Sequence, residues 1–302
     1  MDCKMSSNDK IDINNQVPIL SKLTVNDILR KKNEGRRITM ITAYDYCMSR
    51  ICDYAGIDII LVGDSAATVM LGYKNTRKTT MEEMLVFCRA VSNGTKRALI
   101  VGDMPFGSYQ TGMNNAVTNA VRFIRTGCDA VKLEGGVEVV SIVKRLTEMG
   151  IPVMGHIGLK PQTTSLTRGF DSHGATVEEA VKLIEESKAL EEAGAFAIVL
   201  EKVTSEVSEI ITKRSRIPII GIGSGPMIDG QVLVLHDLLG LYNEFNPKFI
   251  KRYLDLSKLI SKAITQYCSE VREGIFPNED HTYHMQNGEN EKLQKMVSRQ
   301  QN

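Results

Sequence analysis

Asp64 with Ser65, Asp103, Lys132 with Glu134, His156 and Glu201 each close a short apolar run: IDIILVGDS at 57–65, ALIVGD at 98–103, AVKLE at 130–134, IPVMGH at 151–156 and AFAIVLE at 195–201. Ser224, His236 and Asp237 follow two later runs. Taken singly, a strand-terminal Asp is about as often a loop cap as a catalyst, and a lone His is usually a hydrogen-bonded structural residue. Together they mean more. Several carboxylates in one cavity raise each other's pKa unless something neutralises them. A divalent cation does so economically. Oxygen ligands without neighbouring thiols point to a hard ion such as Mg2+, which keeps free positions for water or substrate. Spacing alone leaves open which three carboxylates hold it.

For these ends to meet, the runs must be strands of one sheet. Apolar runs bounded by turn signals fit parallel strands covered on both faces. ITMIT at 38–42, IPIIGI at 217–222 and VLVLH at 232–236 raise the count to eight. Between them lie helical stretches, and four helix-to-strand junctions carry Gly at 56, 127, 150 and 194, where a left-handed helix end is cheap. Thr80 with Glu83 and Thr176 with Glu179 predict capping boxes, and Thr24 with Asp27 an approximate one opening a helix over 23–34. Eight alternating repeats predict an α/β fold, a (β/α)8 TIM barrel whose strand ends face one pocket, with a doubly wound open sheet as the alternative. After Pro247, residues 249–260 and 263–271 form two amphipathic stretches expected to pack outside the barrel or on another subunit. The expected organisation is a flexible extension over 1–18, one barrel domain with C-terminal helices over 19–282, and a flexible polar tail over 283–302.

Composition sets the class. The chain has 302 residues, 42% hydrophobic and 24% charged, with 37 Lys plus Arg against 36 Asp plus Glu. A formal charge of +1 without a basic stripe argues against nucleic acid or an anionic membrane as the main partner. The six scattered cysteines form no CxxC pair, which suggests reduced, mostly buried thiols in a cytoplasmic protein. No run reaches the length of a membrane span, and no secretory h-region is present.

VGDS at 62–65, LGYKNT at 71–76, DMPFGSY at 103–109, VKLEGG at 131–136, PVMGHIGLKPQ at 152–162, VLEKV at 199–203 and IGIGSGPMIDGQVLVLHDLLG at 220–240 resemble, in collinear order, the signatures of the ketopantoate hydroxymethyltransferase family. The resemblance covers about residues 23–277. It implies a (β/α)8 barrel that transfers a one-carbon unit from 5,10-methylenetetrahydrofolate to 3-methyl-2-oxobutanoate, giving 2-dehydropantoate for pantothenate biosynthesis. By resemblance Asp64, Asp103 and Glu134 fall on Mg2+ positions. Asp64, Ser65, Asp103 and Lys132 fall on substrate contacts, and Glu201 on the proton acceptor. His156 is expected to hydrogen-bond substrate or a metal-bound water, or to serve structurally. The family also implies a homo-oligomer, a decamer. This chain departs from the family pattern at Ala66-Ala67-Thr68, at Lys160, at Lys202-Val203-Thr204 and across 165–174.

Two other readings stand beside this one. A Mg2+-dependent carbon-carbon lyase or decarboxylase of the phosphoenolpyruvate mutase and isocitrate lyase group shares enolate chemistry, but its Lys-Lys-Cys-Gly-His loop has no counterpart here. A non-catalytic scaffold barrel is opposed by retention of every named carboxylate. GIGSG at 221–225 resembles a phosphate-cradling turn; a tight turn near the rim is the preferred reading, with Asp229-Gly230 as another turn.

Overall fold

The computed structural model describes residues 21–163, 172–242 and 247–300. In chain order the elements are α1 (Val25–Asn33), β1 (Ile38–Thr42), α2 (Tyr46–Tyr54), β2 (Ile59–Val62), α3 (Ala66–Val69), α4 (Met81–Gly94), β3 (Leu99–Asp103), α5 (Met113–Arg125), β4 (Ala130–Glu134), α6 (Val140–Glu148), β5 (Val153–Gly158), α7 (Val177–Glu192), β6 (Ala197–Glu201), α8 (Ser205–Arg214), β7 (Ile219–Ile222), β8 (Gly230–Leu233), α9 (Leu235–Leu238), α10 (Leu256–Arg272) and α11 (Glu289–Arg299). The eight strands pair in parallel, each with the next, and β8 returns to β1 to close the barrel. This is the (β/α)8 architecture expected from the repeats, not an open sheet. The expected flexible extension over 1–18 and most of the departure from the family pattern across 165–174 lie outside the described residues.

Side-chain alternation explains how one core turns into one site. Residues two apart face the same way along a strand. Ile38 and Met40, Leu99 and Val101, and Ala197 and Val199 lie in one buried cluster with Leu61, Met154, Ile220 and Val232. One further step of two reaches Thr42, Asp103 and Glu201, so the apolar barrel interior becomes polar at the C-terminal end of its strands. At the opposite end the expected helix α1 forms behind a complete Thr24–Asp27 capping box, and its Ile28 is fully buried in that cluster.

The four junction glycines, 56, 127, 150 and 194, adopt φ between +81° and +98°. The capping box at Thr80 and Glu83 forms in full. At Thr176 only half forms: the hydroxyl accepts from Glu179 N, but the Glu179 carboxylate turns to Gly174 N and Ala175 N, both at 3.1 Å.

Two boundaries differ from expectation. Gly230 opens β8 instead of closing a turn; a Cβ there would lie 2.5 Å from Ile38 O, so only glycine permits the approach that pairs β8 with β1. The strand ends at Leu233, and His236 lies in α9. Residues 249–260 and 263–271 are not two helices: one helix, α10, starts only at Leu256, because Phe249 and Ile250 line the barrel cavity instead.

The chain divides into two compact units. One holds the barrel through Leu238 together with Tyr242–Arg252; the other holds Leu239–Leu241 and the chain from Tyr253 onward, with α10 and α11. Among the described cysteines Cys52, Cys88 and Cys128 are buried free thiols, Cys268 is partly buried and Cys47 is exposed. No helix among the described residues is long and apolar enough to cross a membrane.

Candidate active site at the barrel mouth

A cavity of about 200 Å³ opens at the C-terminal ends of the strands. Asp64, Ser65, Asp103, Lys132, Glu134, His156 and Glu201 all line it. Register brings them together. Asp103 lies opposite Lys132 across β3 and β4, and Glu134 lies opposite His156 across β4 and β5. Lys132 Nζ donates to Asp103 Oδ1 at 2.6 Å, while Asp64 N donates to Asp103 Oδ2 at 3.1 Å. His156 sits between two acids, Nδ1 3.4 Å from Glu134 Oε1 and Nε2 3.3 Å from Glu201 Oε2. Neither ring nitrogen makes a well-formed hydrogen bond within the described chain.

The electrostatics of the cavity are under-compensated. Burial pushes the Asp64 carboxyl up to about 8, and repulsion from Asp103 and Glu134 adds to the shift against partial relief from Lys132 and Gln162. Burial also works against ionised Glu134, but His156 and Lys132 hold it below the usual carboxylate range. Burial and Lys132 disfavour a charged His156; Glu134 and Glu201 outweigh them and raise it to about 9. At Lys132 desolvation is likewise overcome, here by Asp103, Glu134 and Asp64, and the ammonium is held charged. Glu201 differs from the other acids in access, its side chain 19% exposed against 2% for Asp103 and 1% for Glu134.

Asp64, Asp103 and Glu134 offer hard oxygen donors in a cavity with surplus negative charge, which is the donor chemistry that suits Mg2+. As the side chains stand, no group of three or more His, Cys, Asp or Glu among the described residues closes around a metal position. Four of the six oxygens have other partners: Lys132 takes Asp103 Oδ1, Asp64 N takes Asp103 Oδ2, Gln162 Nε2 donates to Asp64 Oδ2 at 2.9 Å, and Gln162 N donates to Glu134 Oε2.

Gln162 is the residue that the reading of strand ends missed. It is fully buried; its amide also donates to Met104 O at 3.1 Å, its carbonyl accepts from Tyr109 Oη at 3.0 Å, and its backbone N donates to Glu134 Oε2 at 3.1 Å. One residue, through side chain and backbone together, thus ties the ends of β2, β3 and β4. Tyr44 was missed as well: its hydroxyl lies 2.8 Å from Ser65 Oγ. The signal for Gln162 and Tyr109 was present, since both close quoted motifs, PVMGHIGLKPQ and DMPFGSY.

The later candidates separate. Asp237 lines the cavity, and burial pushes its carboxyl up to about 6 against the opposing pull of Arg252. His236 packs instead on Tyr44, ring centroids 5.5 Å apart. Of the residues that depart from the family pattern, Ala66 and Ala67 are buried in α3, Thr68 lines the cavity, and Lys160 pairs with Glu138 at 2.9 Å.

The same cavity is also lined by the apolar Leu61, Val199, Ile222, Val232 and Phe249. Such a cavity suits a small acid with an aliphatic tail, oriented by charge at one end and by packing at the other.

Comparison with known proteins agrees with this chemistry. Residues 22–279 match the family model described as ketopantoate hydroxymethyltransferase. A protein of Nitrosopumilus maritimus named 3-methyl-2-oxobutanoate hydroxymethyltransferase is 47% identical over 274 residues, 91% of this chain and 98% of its own length. One of Cenarchaeum symbiosum with the same name is 51% identical over 255 residues, 84% of this chain and 97% of its own. Among solved structures, a phosphonopyruvate hydrolase complexed with oxalate and Mg2+ superposes with a TM-score of 0.57 at 14% identity, covering 92% of this chain and 99% of that one. That likeness is one of fold alone. Kinship at about half identity across nearly the whole barrel is another matter, and by it the chain belongs to the ketopantoate hydroxymethyltransferase family.

Proposed function

We propose that the barrel mouth transfers a hydroxymethyl group from 5,10-methylenetetrahydrofolate to 3-methyl-2-oxobutanoate, yielding 2-dehydropantoate. The observation that carries this reading is the convergence of Glu201, His156 and Lys132 with three acids on one cavity that aliphatic side chains also line. Asp64, Asp103 and Glu134 are the residues that would hold Mg2+. When bound, the ion supplies a divalent positive charge against the oxygens of the 2-oxo acid.

The remaining work falls to side chains of the chain itself. Ser65 and Lys132 orient the 2-oxo acid, and the Lys132 ammonium offsets negative charge as it develops on the substrate. Glu201, the most accessible of these acids, takes the proton from C3. The His156 ring, held between Glu134 and Glu201, offers an N–H group to substrate. The C3 electron pair then forms the new bond to the folate-borne carbon. One water enters the balance: its oxygen becomes the product hydroxyl, and tetrahydrofolate regains two N–H hydrogens, one from C3 and one from water. The family supports a homo-oligomer as the working form.

Exchange of the C3 hydrogen of 3-methyl-2-oxobutanoate with deuterated solvent, without folate, isolates proton removal. The parent exchanges and Glu201→Gln does not. Equal rates in the two would remove Glu201 as the base.

A further inference from the structure

The turn Gly221–Gly225 has the composition of an anion cradle, yet its serine is committed elsewhere. Ser224 is 1% exposed. Its hydroxyl donates to Leu200 O at 2.8 Å and accepts from Val203 N at 3.2 Å. These two backbone groups flank Glu201 and Lys202. One hydroxyl from the end of β7 therefore clamps the main chain on both sides of the proposed base.

What it clamps is a sharp bend. Lys202 has φ +52°, and among the described residues it is the one non-glycine with positive φ. Side chains avoid that region because Cβ crowds the carbonyl oxygen, so surrounding contacts must hold it. Here they do: Lys202 N donates to Ile222 O at 2.9 Å, His173 N to Lys202 O at 2.8 Å and Leu159 N to Glu201 O at 2.8 Å. The bend begins one residue after Glu201 and ends the strand there. Leu200 O and Val203 N, the groups that Ser224 holds, lie on either side of Glu201, so loss of the clamp frees the main chain that carries the carboxylate.

We propose that Ser224 is a positioning residue for Glu201: its hydroxyl holds the left-handed bend at Lys202 and so aims the carboxylate, and the glycine-rich turn is not an anion site. The proposal rests on Glu201 being the proton acceptor.

The test compares parent, Ser224→Ala, Ser224→Cys, Ser224→Ala with Lys202→Gly, and Glu201→Gln. It measures kcat and KM for 3-methyl-2-oxobutanoate in product formation, and C3 deuterium exchange, each normalised to folded protein by circular dichroism. Misaim of a base by about 1 Å costs up to about 100-fold. Ser224→Ala is expected to lose about 10-fold to 100-fold in kcat and in exchange, with KM within about twofold, the pattern of a lost transition-state alignment. Ser224→Cys, a weaker hydrogen-bonding group, should fall between Ala and parent, and it carries the test if the Ala variant does not fold. Adding Lys202→Gly to Ser224→Ala should recover part of kcat, because glycine accepts φ +52° without support. Parent kcat in folded Ser224→Ala or Ser224→Cys, or a raised KM at parent kcat, would overturn the proposal. So would protection of the parent, but not of Ser224→Ala, by inorganic phosphate. If Glu201→Gln exchanges as fast as parent, the base assignment fails and takes the proposal with it. Lost exchange in Glu201→Gln with parent rates in the Ser224 variants overturns the proposal alone.

Discussion

Both ends of the barrel carry a ring of carboxylates, and the rings are wired differently. At the N-terminal end Asp58, Asp129 and Asp229 immediately precede β2, β4 and β8, and each accepts a backbone N–H at or near the start of the preceding strand: Thr39 N at 3.0 Å, Ile100 N at 2.7 Å and Ile219 N at 2.8 Å. Each also meets a lysine from α1 or the residues leading into it: Lys31 on Asp58 at 2.6 Å, Lys22 on Asp129 at 2.7 Å and Lys32 on Asp229 at 2.7 Å. Every acid there has its own cation and its own N–H, so α1 is riveted across the barrel floor. At the mouth Asp64, Asp103 and Glu134 share Lys132 and His156, and burial, with repulsion from Asp103 and Glu134 added, pushes Asp64 up to about 8. The residue type is the same; the number of partners per charge separates scaffold from site.

Substitutions should divide along that line. Glu201→Gln, at the mouth, is expected to lower turnover by about 100-fold to 10,000-fold while the melting temperature stays within a few degrees. Steady-state kinetics with thermal unfolding checks this. Asp58→Ala, at the floor, leaves Lys31 and Thr39 N without their carboxylate and should cost about 3 kcal/mol of stability by urea unfolding, with kcat per folded molecule unchanged. Loss of turnover in folded Asp58→Ala would blur the distinction between the ends. Gln162→Leu removes the side-chain amide that holds Asp64, while the backbone N–H to Glu134 stays, and should weaken Mg2+ binding by about 10-fold to 100-fold in calorimetry.

The smallest expected effect concerns pH. Asp237 at the mouth has a folded-state pKa of about 6 against a usual 3.8. The unfolded chain releases this proton first, so the folded state binds more protons between those values and stability falls as pH rises through that window. Because Asp237 is about half exposed, the effect is modest. Asp237→Asn should match the parent below about pH 4 and melt slightly higher than it above about pH 6. Identical melting profiles would mean that burial does not burden this carboxyl.

The strands and their reactive ends were legible because both follow from local pattern. An apolar run of four to six residues announces a buried strand, and alternation then assigns Asp103, Lys132, Glu134 and Glu201 to its inner face. The partners that tune those ends were not legible. Gln162 reaches Asp64 across 98 positions, and Lys32 reaches Asp229 across 197, distances over which no sequence period operates. His236 misled for a local reason: VLVLH continues the apolar run past Leu233, but the chain turns into α9 because Leu235 N is taken by the Thr42 hydroxyl. Lys202 hides its main chain behind an ordinary residue type, since nothing about a lysine announces φ +52°.

The central claim is that the under-compensated mouth performs one-carbon transfer to a branched 2-oxo acid. Its most direct test is to incubate the purified chain with 3-methyl-2-oxobutanoate, 5,10-methylenetetrahydrofolate and Mg2+, and to quantify 2-dehydropantoate by mass spectrometry. The parent should form it, and chelation of the metal or Glu201→Gln should suppress it. No product from the folded parent, together with cleavage of a 2-alkylmalate or an isocitrate-like acid, would contradict the account and assign the mouth to carbon-carbon lysis.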